Sequence, residues 1–331
     1  MRKVTVAATQ MACCADAGIN IANAEKLIRE AASQGANIIL IQELFQTQYF
    51  AQVVDYDNLS IARPAEGNPV LKRFSELAKE LDVVLPISFF EESGCCRFNS
   101  VMMIDADGTY MGIYRKTHIP DDPGYYEKFY FSPGDTGFRV WDTKYAKIGV
   151  GICWDQWFPE AARSMALLGA EMLLYPTAIG TFAVPPDQID GEPDDYDHWQ
   201  NVMLGHAAAN MTPVIASNRI GVEEMGGTAV RFWGASFISD NRGNKIAEAD
   251  TRTEGILTAT FDMDELAAYR REVCTFRDRR PDVRLLMVYS LRCSVRRMIT
   301  TLHYFRVSVM LLPALLELVM FAQSVELKFV Q

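Results

Sequence analysis

Clean membrane-length apolar runs, zinc-type cysteine spacing and a surplus of positive charge are all missing from this chain. The most apolar stretch, Val307 to Ala322, is interrupted by Pro313 and Glu317 and is too short and too broken to read as a membrane span. Met1 to Ala7 runs directly into an alternating strand pattern, without the apolar core and small-residue cleavage site of a secretory leader. A cytoplasmic protein is therefore expected. The 7 cysteines are an odd number, include the adjacent pairs Cys13-Cys14 and Cys95-Cys96, and show no Cys-x-x-Cys or histidine spacing suited to zinc. Neither a structural metal nor a disulfide framework is expected, and reduced thiols fit a reducing compartment. The formal net charge of -10, with a pI of about 5.0, argues against nucleic acid as a partner and favours small cations.

What is present is a chain of 331 residues, 49% hydrophobic, enough to bury one large core. Helix and strand patterns alternate. Lys3 to Thr9 reads as a strand, and Ala24, Leu27, Ile28 and Ala31 mark a helix face closed by Gly35. Asn37 to Gln42 reads as a strand buried on both faces, Pro69 to Leu81 as an amphipathic helix, and Val83 to Phe89 as a further buried strand. Arg97 to Asp105 and Thr109 to Arg115 form a hairpin around Ala106-Asp107-Gly108. Lys147 to Ile152 is a strand, followed by a helix over Glu160 to Leu168. The helix, Gly-Ala, buried-strand pattern of Ala31–Leu40 recurs at Met165–Leu174, as two similar halves of a layered α/β sandwich would require. Further along, Tyr196 to Met211 is helical and Val214 to Ser217 a strand. A hairpin surrounds Asn241-Arg242-Gly243-Asn244, Ile256 to Phe261 is a last strand, and Met263 to Arg271 is a closing helix with Asp262 as its N-cap.

Three polar residues fall where an apolar strand stops: Glu43, Lys116 and Cys153. In parallel or mixed α/β sheets that edge collects binding and catalytic groups. A cysteine held at a strand-to-helix bend is an available nucleophile, a carboxylate at a buried strand end can serve as its base, and a lysine can stabilise an oxyanion together with the backbone N–H of Trp154. Taken singly, each has a plain structural reading as well: a packed core thiol, a solvated strand-end acid and a surface lysine.

The neighbouring residues make the trio specific. Gln42-Glu43-Leu44-Phe45, Tyr114-Arg115-Lys116-Thr117-His118-Ile119-Pro120 and Gly151-Ile152-Cys153-Trp154-Asp155 resemble, in order and separation, the three signatures of the nitrilase (carbon-nitrogen hydrolase) superfamily. The resemblance covers residues 1–282, the expected catalytic domain. It implies a four-layer α-β-β-α sandwich, assembly into homo-oligomers, and no metal or organic cofactor. It also implies roles: Cys153 as nucleophile, Glu43 as general base and acid, Lys116 as oxyanion stabiliser, and Glu127 as a further glutamate supporting the lysine and the substrate. Trp154 and Asp155 belong to the same substrate-binding or supporting shell. Gly124 to Phe131, Asp197-His198-Trp199 and Ala216 to Gly221 resemble the branch acting on carbamoylated amines, so the expected substrate is a small cationic ureido compound. Its ammonium would need a carboxylate or aromatic faces, for which Asp187, Asp190, Glu192, Asp194 and Asp195 in the acidic loop from Thr181 to Asp197 are candidates. A branch acting on a plain amide or a ureido acid differs in what the pocket offers the far end, an acid for an amine or an arginine for an anion.

Two departures stand out. After Ala178-Ile179-Gly180-Thr181 the branch continues with Glu-Pro, whereas this chain reads Phe182-Ala183-Val184-Pro185-Pro186, beside the expected substrate end. Residues 283–331, an atypical basic and apolar extension, hold 6 Lys or Arg against 2 Asp or Glu; that +4 leaves -14 on residues 1–282. An extension of this kind is expected to alter assembly, or to leave an inactive product that keeps the trio.

Overall fold

The computed structural model of the chain describes residues 2–189 and 195–281. The extension, and with it Asp190, Glu192 and Asp194, lies outside the described residues. By contact density the chain divides into a unit ending at Glu272 and a second beginning at Val273. Of the second unit, residues 273–281 form turns in which the Asp278 N–H donates to the Cys274 carbonyl at 3.0 Å.

The first unit runs β1 (Lys3–Gln10), α1 (Ala17–Ser33), β2 (Ile38–Leu40), α2 (Pro69–Leu81), β3 (Leu85–Ser93), β4 (Cys96–Ile104) and β5 (Tyr110–Arg115) through its first half. It continues with α3 (Glu127–Tyr130), β6 (Val140–Asp142), β7 (Lys147–Val150), α4 (Pro159–Leu167), β8 (Met172–Pro176) and α5 (Tyr196–Asn210). The last elements are β9 (Val214–Ser217), β10 (Ile220–Met225), β11 (Thr228–Trp233), β12 (Phe237–Ser239), β13 (Lys245–Glu248), β14 (Gly255–Asp262) and α6 (Met263–Glu272).

Local chemistry sets the helix ends. The Asp16 carboxylate accepts from the N–H groups of Gly18 and Ile19, and the Asn68 amide oxygen from those of Val70 and Leu71 with Pro69 at the first turn, so orphan donors are satisfied at both starts. Asp262 accepts from Asp264 and Glu265 in the same way at the start of α6.

Strands β14-β1-β2 and β3-β4-β5 form one sheet, joined by a parallel bridge between Ile38 and Val84. Strands β13-β12-β9-β8-β7-β6 form the other. Val6, Ala8, Ile38, Leu40, Val101 and Met103 of the first sheet pack with Ile148, Val150, Met172, Leu174, Ile215 and Ile238 of the second in one apolar layer. On the outer face of the first sheet lie Leu27, Ile28 and Ala31 of α1 and Leu71, Phe74 and Leu77 of α2. Against the outer face of the second lie Met165 of α4 and Trp199, Met203 and Ala207 of α5. This is the four-layer α-β-β-α sandwich, and β2, β8 and β9 at its middle are buried on both faces. The two halves echo each other at the expected places: Gly35 after α1 and Gly169 after α4 both take left-handed φ, 87° and 97°, each ending a helix before a central strand. No helix among the described residues is long and apolar enough to cross a membrane.

Candidate active site

Glu43, Lys116 and Cys153 come together where three strands end. Beyond β2 the Glu43 N–H donates to the Thr177 carbonyl at 3.3 Å, and beyond β5 the Lys116 N–H donates to the Asn99 carbonyl at 2.8 Å. Beyond β7 the Gly151 N–H reaches the Leu174 carbonyl at 3.1 Å, and then the chain turns. Cys153 sits at φ 40°, a left-handed conformation that a non-glycine residue holds only where its surroundings over-determine it. Asp155 provides that constraint. Its Oδ2 accepts from the Ile152 N–H at 2.9 Å and the Tyr114 hydroxyl at 2.6 Å, and its Oδ1 accepts from the His118 N–H at 3.0 Å and lies 2.8 Å from His118 Nδ1. One buried carboxylate thus bolts the cysteine elbow to the strand end that carries Lys116.

The charged cluster is fully buried. Lys116 Nζ donates to Glu43 Oε1 at 2.9 Å and to both Glu127 oxygens at 2.8 and 2.7 Å. Those contacts occupy its three N–H bonds, so the ammonium acts on the site chiefly through its charge. Glu43 Oε1 also accepts from Asn99 Nδ2 at 2.5 Å, while its Oε2 has no hydrogen-bond partner among the described residues. The Tyr49 hydroxyl donates to Glu127 Oε1. Two carboxyl groups and one ammonium at 0% exposure are tolerable because the ammonium is paired on all three N–H bonds.

The electrostatics follow from this burial. Desolvation pulls Lys116 down, but the charges of Glu127 and Glu43 outweigh it and hold the ammonium above its ordinary value. Desolvation, with Glu43 adding to it against the pull of Lys116, lifts Glu127 to about 7. Cys153 is pushed well above the ordinary thiol range, first by burial and then by Glu43, against the pull of Lys116. Burial and Glu43 thus both favour the neutral thiol over the thiolate.

Cys153 opens onto a cavity of about 350 Å³ whose walls include Tyr125, Trp154, Trp157, Phe182 and Trp233, with Asp122 and Asp195 as the acidic residues among its lining. No lysine or arginine lines it among the described residues. Nor is any group of three or more His, Cys, Asp or Glu side chains among those residues disposed to hold a metal ion. The arrangement suits acyl transfer to a thiol: a buried nucleophile, an adjacent carboxylate with a free oxygen, a fixed positive charge and an apolar, acid-edged pocket.

A family profile described as carbon-nitrogen hydrolase matches residues 5–271. The chain belongs to the carbon-nitrogen hydrolase family. An N-carbamoylputrescine amidase of Arabidopsis thaliana is 55% identical over 85% of this chain and 94% of its own length. A citrullinase of Francisella tularensis is 52% identical over 86% and 97%. The crystal structure of a carbon-nitrogen hydrolase from Helicobacter pylori G27 superposes with a TM-score of 0.79 at 37% identity, covering 86% of this chain and 98% of that one.

In this hydrolase the structure gathers Glu43, Lys116, Cys153 and Glu127 at one point, with Trp154 on the cavity wall. Asp155 is not part of that wall and instead braces the elbow. Of the acidic-loop candidates, Asp195 lines the cavity and Asp187 does not. Sequence reasoning passed over Asn99, Tyr49, Asp122 and Arg219. Asn99 and Tyr49 lie inside a strand and a loop, and their partners Glu43 and Glu127 are 56 and 78 residues away. Asp122, by contrast, stands in the polar loop right after the lysine motif, which was a usable signal.

Proposed function

We propose that this hydrolase cleaves the carbamoyl C–N bond of N-carbamoylputrescine, the activity named for its plant relative, releasing putrescine, carbon dioxide and ammonia in polyamine biosynthesis. Cys153 Sγ attacks the ureido carbon while its proton passes to Glu43. The oxyanion is met by the field of Lys116, which Glu127 holds in place, and by the Trp154 N–H. Glu43 returns the proton to the departing ammonia, leaving an S-carbamoyl thioester on Cys153. A water deprotonated by Glu43 then opens the thioester, Glu43 passes that proton to the departing Cys153 Sγ, and the resulting carbamate falls apart to the free amine and carbon dioxide. We place the reaction in the cytoplasm and expect the catalytic unit to work as a homo-oligomer, in keeping with the family resemblance.

The observation that carries the substrate assignment is the cavity wall. Citrulline is N-carbamoylputrescine with one added carboxylate on the carbon bearing the amine, so the two differ by a negative charge at the far end. A pocket edged by Asp122 and Asp195, with aromatic faces and no cation among its described lining residues, suits an ammonium and repels that carboxylate. Ammonia release from the two compounds decides between them. Turnover of N-carbamoylputrescine should exceed that of citrulline, Cys153→Ala should lose about 10³-fold or more, and Asp122→Asn should raise KM for the amine. Preference for citrulline would overturn the substrate, and turnover surviving in Cys153→Ala would overturn the nucleophile.

A further inference from the structure

Arg219, between β9 and β10, is 0% exposed and takes no part in the proposed reaction. Its guanidinium reaches across the fold to a single loop. Nη2 donates to the carbonyls of Glu43 at 2.8 Å and Leu44 at 3.1 Å, and Nη1 to the carbonyl of Thr47 at 3.3 Å and to Glu223 Oε1 at 2.7 Å. The other oxygen of Glu223 accepts from the Tyr49 N–H at 2.6 Å and Gln52 Nε2 at 3.5 Å. The loop from Glu43 to Gln52 is thus fastened at five points by one buried ion pair.

That loop needs fastening. Leu44, directly after the proposed base, takes φ 47°, a left-handed conformation that such a residue keeps only where the surroundings impose it. The Leu44 N–H donates to Ser88 Oγ at 3.0 Å, and the Leu44 carbonyl is one of the three that Arg219 holds. The rings of Tyr49 and Phe232 flank the guanidinium, with centroids 5.7 and 5.1 Å from it. The reach then extends to the second carboxylate, because the Tyr49 hydroxyl donates to Glu127. Lysine could not replace this fork, since one ammonium cannot span three carbonyls and a carboxylate in a plane.

We infer that Arg219, paired with Glu223, is a positioning residue for both carboxylates of the site: it sets the main chain at Glu43 directly and the hydroxyl that steadies Glu127 through Tyr49. This inference rests on the roles proposed above for Glu43 and Glu127. A buried ion pair that merely held β10 in place would give the same contact distances but different kinetics.

The test uses the full chain with Arg219→Lys and Glu223→Gln. Thermal unfolding, kcat and KM for N-carbamoylputrescine, and the alkylation rate of Cys153 by iodoacetamide, followed on its own peptide by mass, are read at a temperature where each variant is folded. A base displaced by a fraction of an ångström is expected to lower kcat by about tenfold to a hundredfold, with KM changed less than about threefold and Cys153 alkylation slowed in step with kcat. A lowered Tm with kcat and alkylation both within about twofold of the unmutated chain would overturn the inference and leave a structural ion pair. Should Arg219→Lys fail to fold, Glu223→Gln carries the same readouts, and the same two outcomes support or overturn the inference. Absence of turnover by the unmutated chain would instead refute the substrate reading, and the alkylation rates would still decide the role of Arg219.

Discussion

Glu127 shares the Lys116 ammonium with Glu43 in a fully buried cluster, and its burial sets how this carboxyl responds to pH. Glu127, lifted from 4.5 to about 7, binds its proton more tightly in the folded chain than in the unfolded one. Between those values the folded state carries the extra proton, so through this group stability falls as pH rises from about 4.5 to about 7. Lys116, held above its ordinary 10.5, contributes stability that is complete below that value and is lost only at more alkaline pH, outside the window. Glu127→Gln removes the first effect and leaves Lys116 paired with Glu43. The stability of the variant relative to the unmutated chain is therefore expected to improve steadily across the window. Urea unfolding at several pH values checks this, and a difference independent of pH would mean that Glu127 is ionised throughout.

At the scale of elements, the cysteine elbow is the tightest joint. A Cβ on Gly151 would lie 2.7 Å from Tyr175 Cε1, in the interior of β8. Gly151→Ala therefore forces either the ring or the elbow to move, at a cost of about 1–3 kcal/mol, and because the elbow carries Cys153, kcat should fall more than KM rises. Tyr175→Leu, which removes the obstructing ring edge, should restore part of both losses in the double variant; strictly additive losses would show that the clash is not the cause. The elbow and the strand ends were legible in the sequence because β2 and β7 are apolar runs that stop at a polar residue. The β10-β11 hairpin was not. Its inward residue at one register is Glu223, 2% exposed, beside Val222 at 38%. The apolar-in, polar-out alternation that signals a strand is thus reversed by the ion pair with Arg219. Strand β6, three residues long, is too short to show a period. Arg219 stayed silent for a related reason: it bonds to main-chain carbonyls 172–176 residues away, and a carbonyl leaves no mark in a sequence.

Across the whole catalytic unit, Glu43 and Lys116 hang from one sheet and Cys153 from the other, so the site exists only when the two sheets are packed. The same molecule carries a net charge of -10, and its cavity is edged by Asp122 and Asp195. A monocationic substrate approaching such a surface gains from the summed field, and salt removes that gain. Between about 10 mM and about 1 M ionic strength, where the screening length shrinks from about 30 to about 3 Å, kcat/KM for N-carbamoylputrescine is expected to fall several-fold. N-butylurea, which keeps the ureido group and the four-carbon chain but has no ammonium, should show little of this dependence, whereas citrulline, with a compensating carboxylate, should lie between them. Measuring the three at each salt concentration separates attraction for the ammonium from any general effect of salt on the protein. A parallel decline for all three compounds would place the salt sensitivity in the chain itself and remove electrostatic selection of the amine from the account of this site.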